Sequence, residues 1–392
     1  MKKWFITITL TAMLFDVAFA TNTFNWFGVV SSRLRHEISE EYYGFTATDS
    51  ARGLLKHTDA NTKTRLGYKF GFTVELSEYV TGAVTLRSGV GSVMWQDVNN
   101  ENTSGLQPGL QEAYINWKPP YADLMLGRVP QKGNAMWDLY AASNNLRDPV
   151  RQDNATDGVF NDKMGFLNGA KLTVPVGPVT IRGAYHTDYV SGYERDYTLD
   201  NKQTDISPQM DQYIFIGGFS LDVIQTLNGF NLLKVKGLNC NLDFDYGLPS
   251  RIGDKNRTST VDTDSVYVDE NIWGITEKIR YYLEEYQSGA DFIFSYGYDR
   301  REDVYTARFW DYTLAGEYRG LRLTGRYQYN SQILNFRPYY GATAIRTAMH
   351  VYLNYILWNL NIQPRFILFE TEIEGNKTST NERYELTTTI RF

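Results

Sequence analysis

The last ten residues, Arg383-Tyr-Glu-Leu-Thr-Thr-Thr-Ile-Arg-Phe392, put Tyr384, Leu386, Ile390 and Phe392 on one parity and Arg383, Glu385, Thr387 and Arg391 on the other. Successive side chains of a strand point to opposite faces, so this segment reads as a strand with one oily and one wet face. An aromatic at the end of such a strand needs either a core to enter or lipid to meet. The rest of the chain decides between the two.

The chain opens Met1-Lys2-Lys3, continues through an apolar stretch from Trp4 to Phe15 and reaches Ala18-Phe19-Ala20. That pattern reads as a secretory signal peptide over residues 1–20, with a mature start at Thr21. Beyond it no apolar run reaches the ~18 residues that a membrane helix needs. The mean hydropathy is −0.40. Aromatics nevertheless make up 15% of the chain, with 29 Tyr, 21 Phe and 8 Trp. Cys240 stands alone, which excludes an internal disulfide. The formal net charge is −6 and no basic tract marks a nucleic-acid partner.

The same alternation recurs along the chain. It is clearest from Arg65 to Leu76, where Leu66, Tyr68, Phe70, Phe72, Val74 and Leu76 oppose Arg65, Gly67, Lys69, Gly71, Thr73 and Glu75. Counting outward from it predicts sixteen strands, the first over Phe24–Ile38 and the last over Arg383–Phe392. Ile272–Tyr286 also fits a helical stripe and is kept as strand for the count. Short turns at Ser77-Glu78-Tyr79, Pro119-Pro120-Tyr121, Val176-Gly177-Pro178, Leu227-Asn228-Gly229, Gln287-Ser288-Gly289, Arg319-Gly320 and Trp358-Asn359 alternate with mostly longer polar connections. A soluble sandwich or propeller has no reason to keep that rhythm. Its oily faces would also favour Val, Ile and Leu over the Trp310, Tyr312, Tyr318 and Trp358 found near strand ends, where polar-tipped rings suit a membrane interface. The fold class expected is all-β: a transmembrane antiparallel β-barrel of about sixteen strands spanning residues 21–392.

The terminal strand ending in Phe392, the alternating turns and the strand number together resemble the bacterial outer-membrane porins. That resemblance implies a water-filled channel in the outer membrane for small hydrophilic solutes, lipid and lipopolysaccharide around it, and a homotrimer. It also implies that the long connection of about residues 130–165 folds into the lumen as a constriction, with Trp137, Asp138, Tyr140, Asp148, Asp153 and Asp157 as its candidate residues. Sixteen strands leave an aqueous channel where eight would be filled by side chains.

Sorting the wet parity by strand suggests two arcs. One is basic, with Arg65, Lys69, Arg87, Arg326, His350 and Arg365, flanked by Arg33, Arg35, Arg322, Arg346, Arg383 and Arg391. The other is acidic, with Asp243, Asp245, Asp291, Asp311 and Glu317 beside Asp222. Facing each other across a closed barrel, they would set a transverse field that favours polar solutes. No Ser/Asp/His constellation supports a hydrolase, and the loop acids Asp262, Asp264 and Asp269 lack the pattern of a calcium loop, so neither enzyme nor metal site nor cofactor is expected. Besides general diffusion, the sequence leaves open a channel selective for sugars or anions, and a plugged barrel acting as a surface adhesin.

Overall fold

The computed structural model describes residues 23–43, 54–88, 96–97, 108–130, 166–187, 213–229, 237–250, 270–301, 305–333 and 342–392. The strands are β1 (Phe24–Tyr42), β2 (Leu55–Ser77), β3 (Val80–Ser88), β4 (Gln96–Asp97), β5 (Pro108–Trp117), β6 (Asp123–Pro130), β7 (Phe166–Val176), β8 (Val179–Thr187), β9 (Tyr213–Asp222), β10 (Leu238–Ser250), β11 (Glu270–Leu283), β12 (Ser288–Arg301), β13 (Tyr305–Tyr318), β14 (Leu321–Ile333), β15 (Thr343–Leu357), β16 (Leu360–Ile373) and β17 (Asn376–Arg391). A short helix, α1 (Val223–Gly229), joins β9 to β10. Among the described residues no helix is long and apolar enough to cross a membrane.

All strands but β4 form one antiparallel ring in chain order, closed by β17 against β1. β4 is a side piece on β2, with Arg65 opposite Asp97, in a stretch that the sequence reads as loop. The product is a closed sixteen-stranded β-barrel, which leaves no open sheet edge. Its polarity is inverted relative to a soluble protein. Ser31, Arg33, Arg35, Asp245, Gln328, His350, Arg383 and Glu385 are buried inside, while Trp26, Leu34, Leu314, Leu323, Leu386 and Ile390 stand exposed outside. An exterior of this kind is built for lipid, where a closed strand ring satisfies every backbone group without water.

The outer face is banded. Near the short-turn end lie exposed Trp26, Tyr79, Tyr121, Tyr286, Tyr318 and Trp358. Further along, Trp273, Tyr296, Trp310 and Tyr329 touch ring to ring across β11–β14, with centroids 5.0–5.3 Å apart. Aliphatic side chains such as Leu314 fill the belt between these rows.

The tight turns follow local chemistry. Arg319-Gly320 has φ of 47° and 79°, and Glu374-Gly375 has 50° and 74°. Positive φ at both central residues matches the right-handed twist of the flanking strands, and the second position takes Gly at no steric cost. Glu374-Gly375 corrects the expected rhythm. The spacing predicts an outer loop from Thr371 to Arg383, yet β16 turns directly into β17. Leu227-Asn228-Gly229, expected as a bare turn, is the end of α1, whose start is capped by Asp222 Oδ1 accepting the Gln225 N–H at 2.8 Å. Ile272–Tyr286 is strand as far as Leu283 and then a single 3-10 turn over Glu284–Tyr286.

The closing seam is held on both faces. The terminal residue bonds reciprocally to Gly28, with Gly28 N–H to the Phe392 carbonyl at 2.7 Å and Phe392 N–H to the Gly28 carbonyl at 3.0 Å. A Cβ built on Gly28 would land inside the Phe392 ring, so glycine is what lets the terminal aromatic lie across β1.

Candidate functional site: the inner wall

On the seam side, β17, β1 and β16 present alternate residues to the interior, and these pair rung by rung. Arg33 Nε donates to Thr387 Oγ1 at 3.1 Å, and Ser31 bonds Thr389. Asn381 Nδ2 donates to Glu37 and to Ser39, both at 2.6 Å, and Arg383 Nε reaches Glu37 at 3.1 Å. Glu385 is the hub. Arg365 Nε donates to one of its oxygens at 2.7 Å, Arg35 Nε bonds the other, and Arg33 stands 3.8 Å away. Three guanidiniums on one buried carboxylate leave this wall net positive, and the hydrogen bonds offset the desolvation that burying such charges costs.

The network continues sideways. Arg383 stacks over Phe369 at 4.8 Å, and the Phe369 ring meets His350 edge-on at 5.8 Å. Gln328 Nε2 donates to Asp311 at 2.9 Å, so its oxygen, 3.1 Å from His350 Nε2, accepts a proton carried on that nitrogen. Arg326 Nε donates to both Asp311 oxygens, at 3.0 and 2.9 Å. Ala348, Ile367 and Phe369 form an apolar cluster that faces inward and is shut off from solvent. Of the remaining basic-arc residues, Arg65 stands directly across from Arg33, Lys69 lies 3.6 Å from Glu112, and Arg87 is buried on β3 opposite Lys69.

The carboxylates of the acidic arc stand on β10, β12 and β13, and each has cationic company. Arg182 bridges Asp243 and Asp245, 3.0 Å to each, across β9. It can do so because Gly218 lies between them, where a Cβ would strike the Asp245 carboxylate and the Phe244 carbonyl. Lys278 stands 3.5 Å from Asp243. Arg280 lies 3.5 Å from Asp291 and 3.8 Å from Glu317, and Arg322 contacts the same two acids, closing an alternating ring of four charges. The two-arc picture therefore changes in one respect. The seam side is basic, but the other wall is a mixed-charge ladder whose cations Arg182, Lys278 and Arg280 are absent from the arcs read in the sequence. Asp222 is spent as the cap of α1.

Trp137, Asp138, Tyr140, Asp148, Asp153 and Asp157 lie outside the described residues, as do Asp262, Asp264 and Asp269 and the segment 1–20. Among the described residues no group of three or more His, Cys, Asp or Glu side chains is arranged to hold a metal ion.

Barrel size, polarity and closure can be compared with solved structures. The outer membrane channel DcaP of Acinetobacter baumannii matches with a TM-score of 0.52 at 12% identity, covering 95% of this chain and 97% of that one. Pseudomonas putida OprB matches with a TM-score of 0.51 at 9% identity, covering 98% and 96%. A loop L8 deletion mutant of OmpT, an outer membrane protein of Vibrio cholerae, matches with a TM-score of 0.50 at 11% identity, covering 95% and 100%. The fold is the outer-membrane porin fold. A bacterial outer membrane is where its lipid-facing exterior fits. No protein-family model matches the sequence, and no curated protein matches it.

Proposed function

We propose that this porin-fold barrel is a channel for passive diffusion of small hydrophilic solutes and ions across the bacterial outer membrane. The observation that carries the reading is the inverted barrel itself: a closed ring of sixteen strands with an apolar belt outside and, inside, charged side chains such as Lys278 and Arg280 that reach water. Sixteen strands enclose more space than inward side chains fill. The basic residues around the seam, with Arg65, Lys69, Arg87 and Arg365, supply a standing positive background inside the lumen. A homotrimer and surrounding lipopolysaccharide belong to the same reading, and cross-linking in mild detergent checks the first of them.

Reconstitution into planar bilayers tests the function directly. Stepwise conductance is the expected result. Silence from protein that is folded, as judged by its heat-modifiable mobility on gels, overturns the proposal and favours a plugged barrel.

A further inference from the structure

The inner-wall charges differ in how far they meet water. On the seam side Arg33, Arg35, Arg365 and Glu385 are closed off, so they act on a passing ion only through their field. On the other wall the carboxylates lie close to the sheet, with Asp243 at 5%, Asp291 at 12% and Glu317 at 27% side-chain exposure. Lys278 is 37% exposed and Arg280 51%. Side-chain length accounts for the difference: a short Asp stays against the backbone, while a Lys or Arg lays its stem along the wall and sends its head into water. A wall that reads as acidic in sequence thus presents positive charge to the lumen.

We propose that Lys278 and Arg280 form the contact line for anionic solutes, small molecules carrying carboxylate or phosphate groups. They are two residues apart on β11 and face the same side, which sets them about 7 Å apart along the strand. Arg322, which shares Asp291 and Glu317 with Arg280, extends the line towards the short-turn mouth at Arg319-Gly320. The acids hold the cationic heads from the wall side and lower the net field, so binding stays weak enough for release, as conduction requires. The channel is therefore anion-preferring although the whole chain carries a net charge of −6. This inference rests on the channel reading.

The test is reversal potential in a potassium chloride gradient across planar bilayers, using the full-length protein, the Lys278→Glu/Arg280→Glu double variant and the neutral Lys278→Gln/Arg280→Gln pair. Reversing two charges beside a path narrower than a few Debye lengths changes the charge there by four units and should lower the anion-to-cation permeability ratio roughly tenfold; the neutral pair should lower it roughly threefold. Added inorganic phosphate should reduce chloride current through the unaltered channel and do so less in the neutral pair. A cation-selective unaltered channel, or variants with normal conductance and an unshifted reversal potential, overturns the inference while leaving the channel intact. Loss of folding in the charge-reversed variant leaves the neutral pair and the unaltered channel to decide. Absence of any conductance in the unaltered protein strikes instead at the channel reading.

Discussion

If the outer belt meets lipid, a charge placed on it should cost more the deeper it lies, and β13 offers the ruler. Trp310 joins the outer aromatic row, Tyr318 stands in the row beside the short turns, and Leu314 lies midway with 65% of its surface exposed. The eight residue steps from Trp310 to Tyr318 span about 26 Å at ~3.3 Å each, or about 20 Å along the membrane normal at a tilt near 40°. That is close to the ~25 Å belt of outer-membrane barrels and sets Leu314 about 10 Å from either interface. Leu314→Arg should therefore cost about 2–4 kcal/mol of folding free energy in the bilayer, whereas Tyr318→Arg should cost about 0–1 kcal/mol. At ~1.4 kcal/mol per tenfold, the deep variant loses roughly one to three decades of folding equilibrium. Reversible folding into phosphatidylcholine vesicles, followed by tryptophan fluorescence across a urea or guanidinium series, measures both. Equal costs at the two sites, or a larger cost at Tyr318, would refute the lipid-facing assignment and the membrane position taken from the aromatic rows.

Other perturbations probe the seam and the inner wall. Glu385→Ala removes the buried carboxylate that Arg33, Arg35 and Arg365 share and should destabilise the barrel by about 3–5 kcal/mol, read as a lower denaturant midpoint. Gly28→Leu puts a side chain where the Phe392 ring lies and should reduce the inserted fraction in membrane preparations without reducing synthesis; deletion of Phe392 should do the same. Gly218→Ala should force Asp245 off Arg182 and cost about 1–3 kcal/mol, while the same change at Gly217, where a Cβ meets nothing, should cost less than 1 kcal/mol on the same denaturant series.

The reach of the sequence reading follows where lipid lies. A period of two is visible only while one face is oily, so Arg65–Leu76 and Arg383–Phe392 were legible as strands. β2 continues upward through Lys56-His-Thr-Asp-Ala-Asn-Thr-Lys63, and β17 begins at Asn376-Lys-Thr-Ser379, both polar on each face. Beyond the aromatic row neither face is required to be apolar, and the same composition that makes a loop makes a water-exposed strand. The tight Glu374-Gly375 turn was hidden for that reason. Ile272–Tyr286 fits a helical stripe although it is strand to Leu283, and only its end turns, in the 3-10 segment that holds Tyr286.

The sequence reading keeps β11 as a strand but takes none of its charges onto the inner face, so the wall around Lys278 and Arg280 reads as acidic. Strand register, which no single strand records, then decides partners: Arg280 stands opposite Asp291, and Glu317 opposite Arg322. On the seam the same register places Glu385 opposite Arg35 and Arg383 opposite Glu37, so slipping β17 by two residues would set Arg35 against Arg383. That slip would take Arg35 off Glu385 and Arg383 off Glu37, and the seam charges thereby favour the register in which the barrel closes. Charge on this inner wall does two jobs that exposure separates. Where it is shut from water, on β1, β16 and β17, it fixes the architecture; where long cationic stems carry it into the lumen, on β11, it is placed to meet the solute.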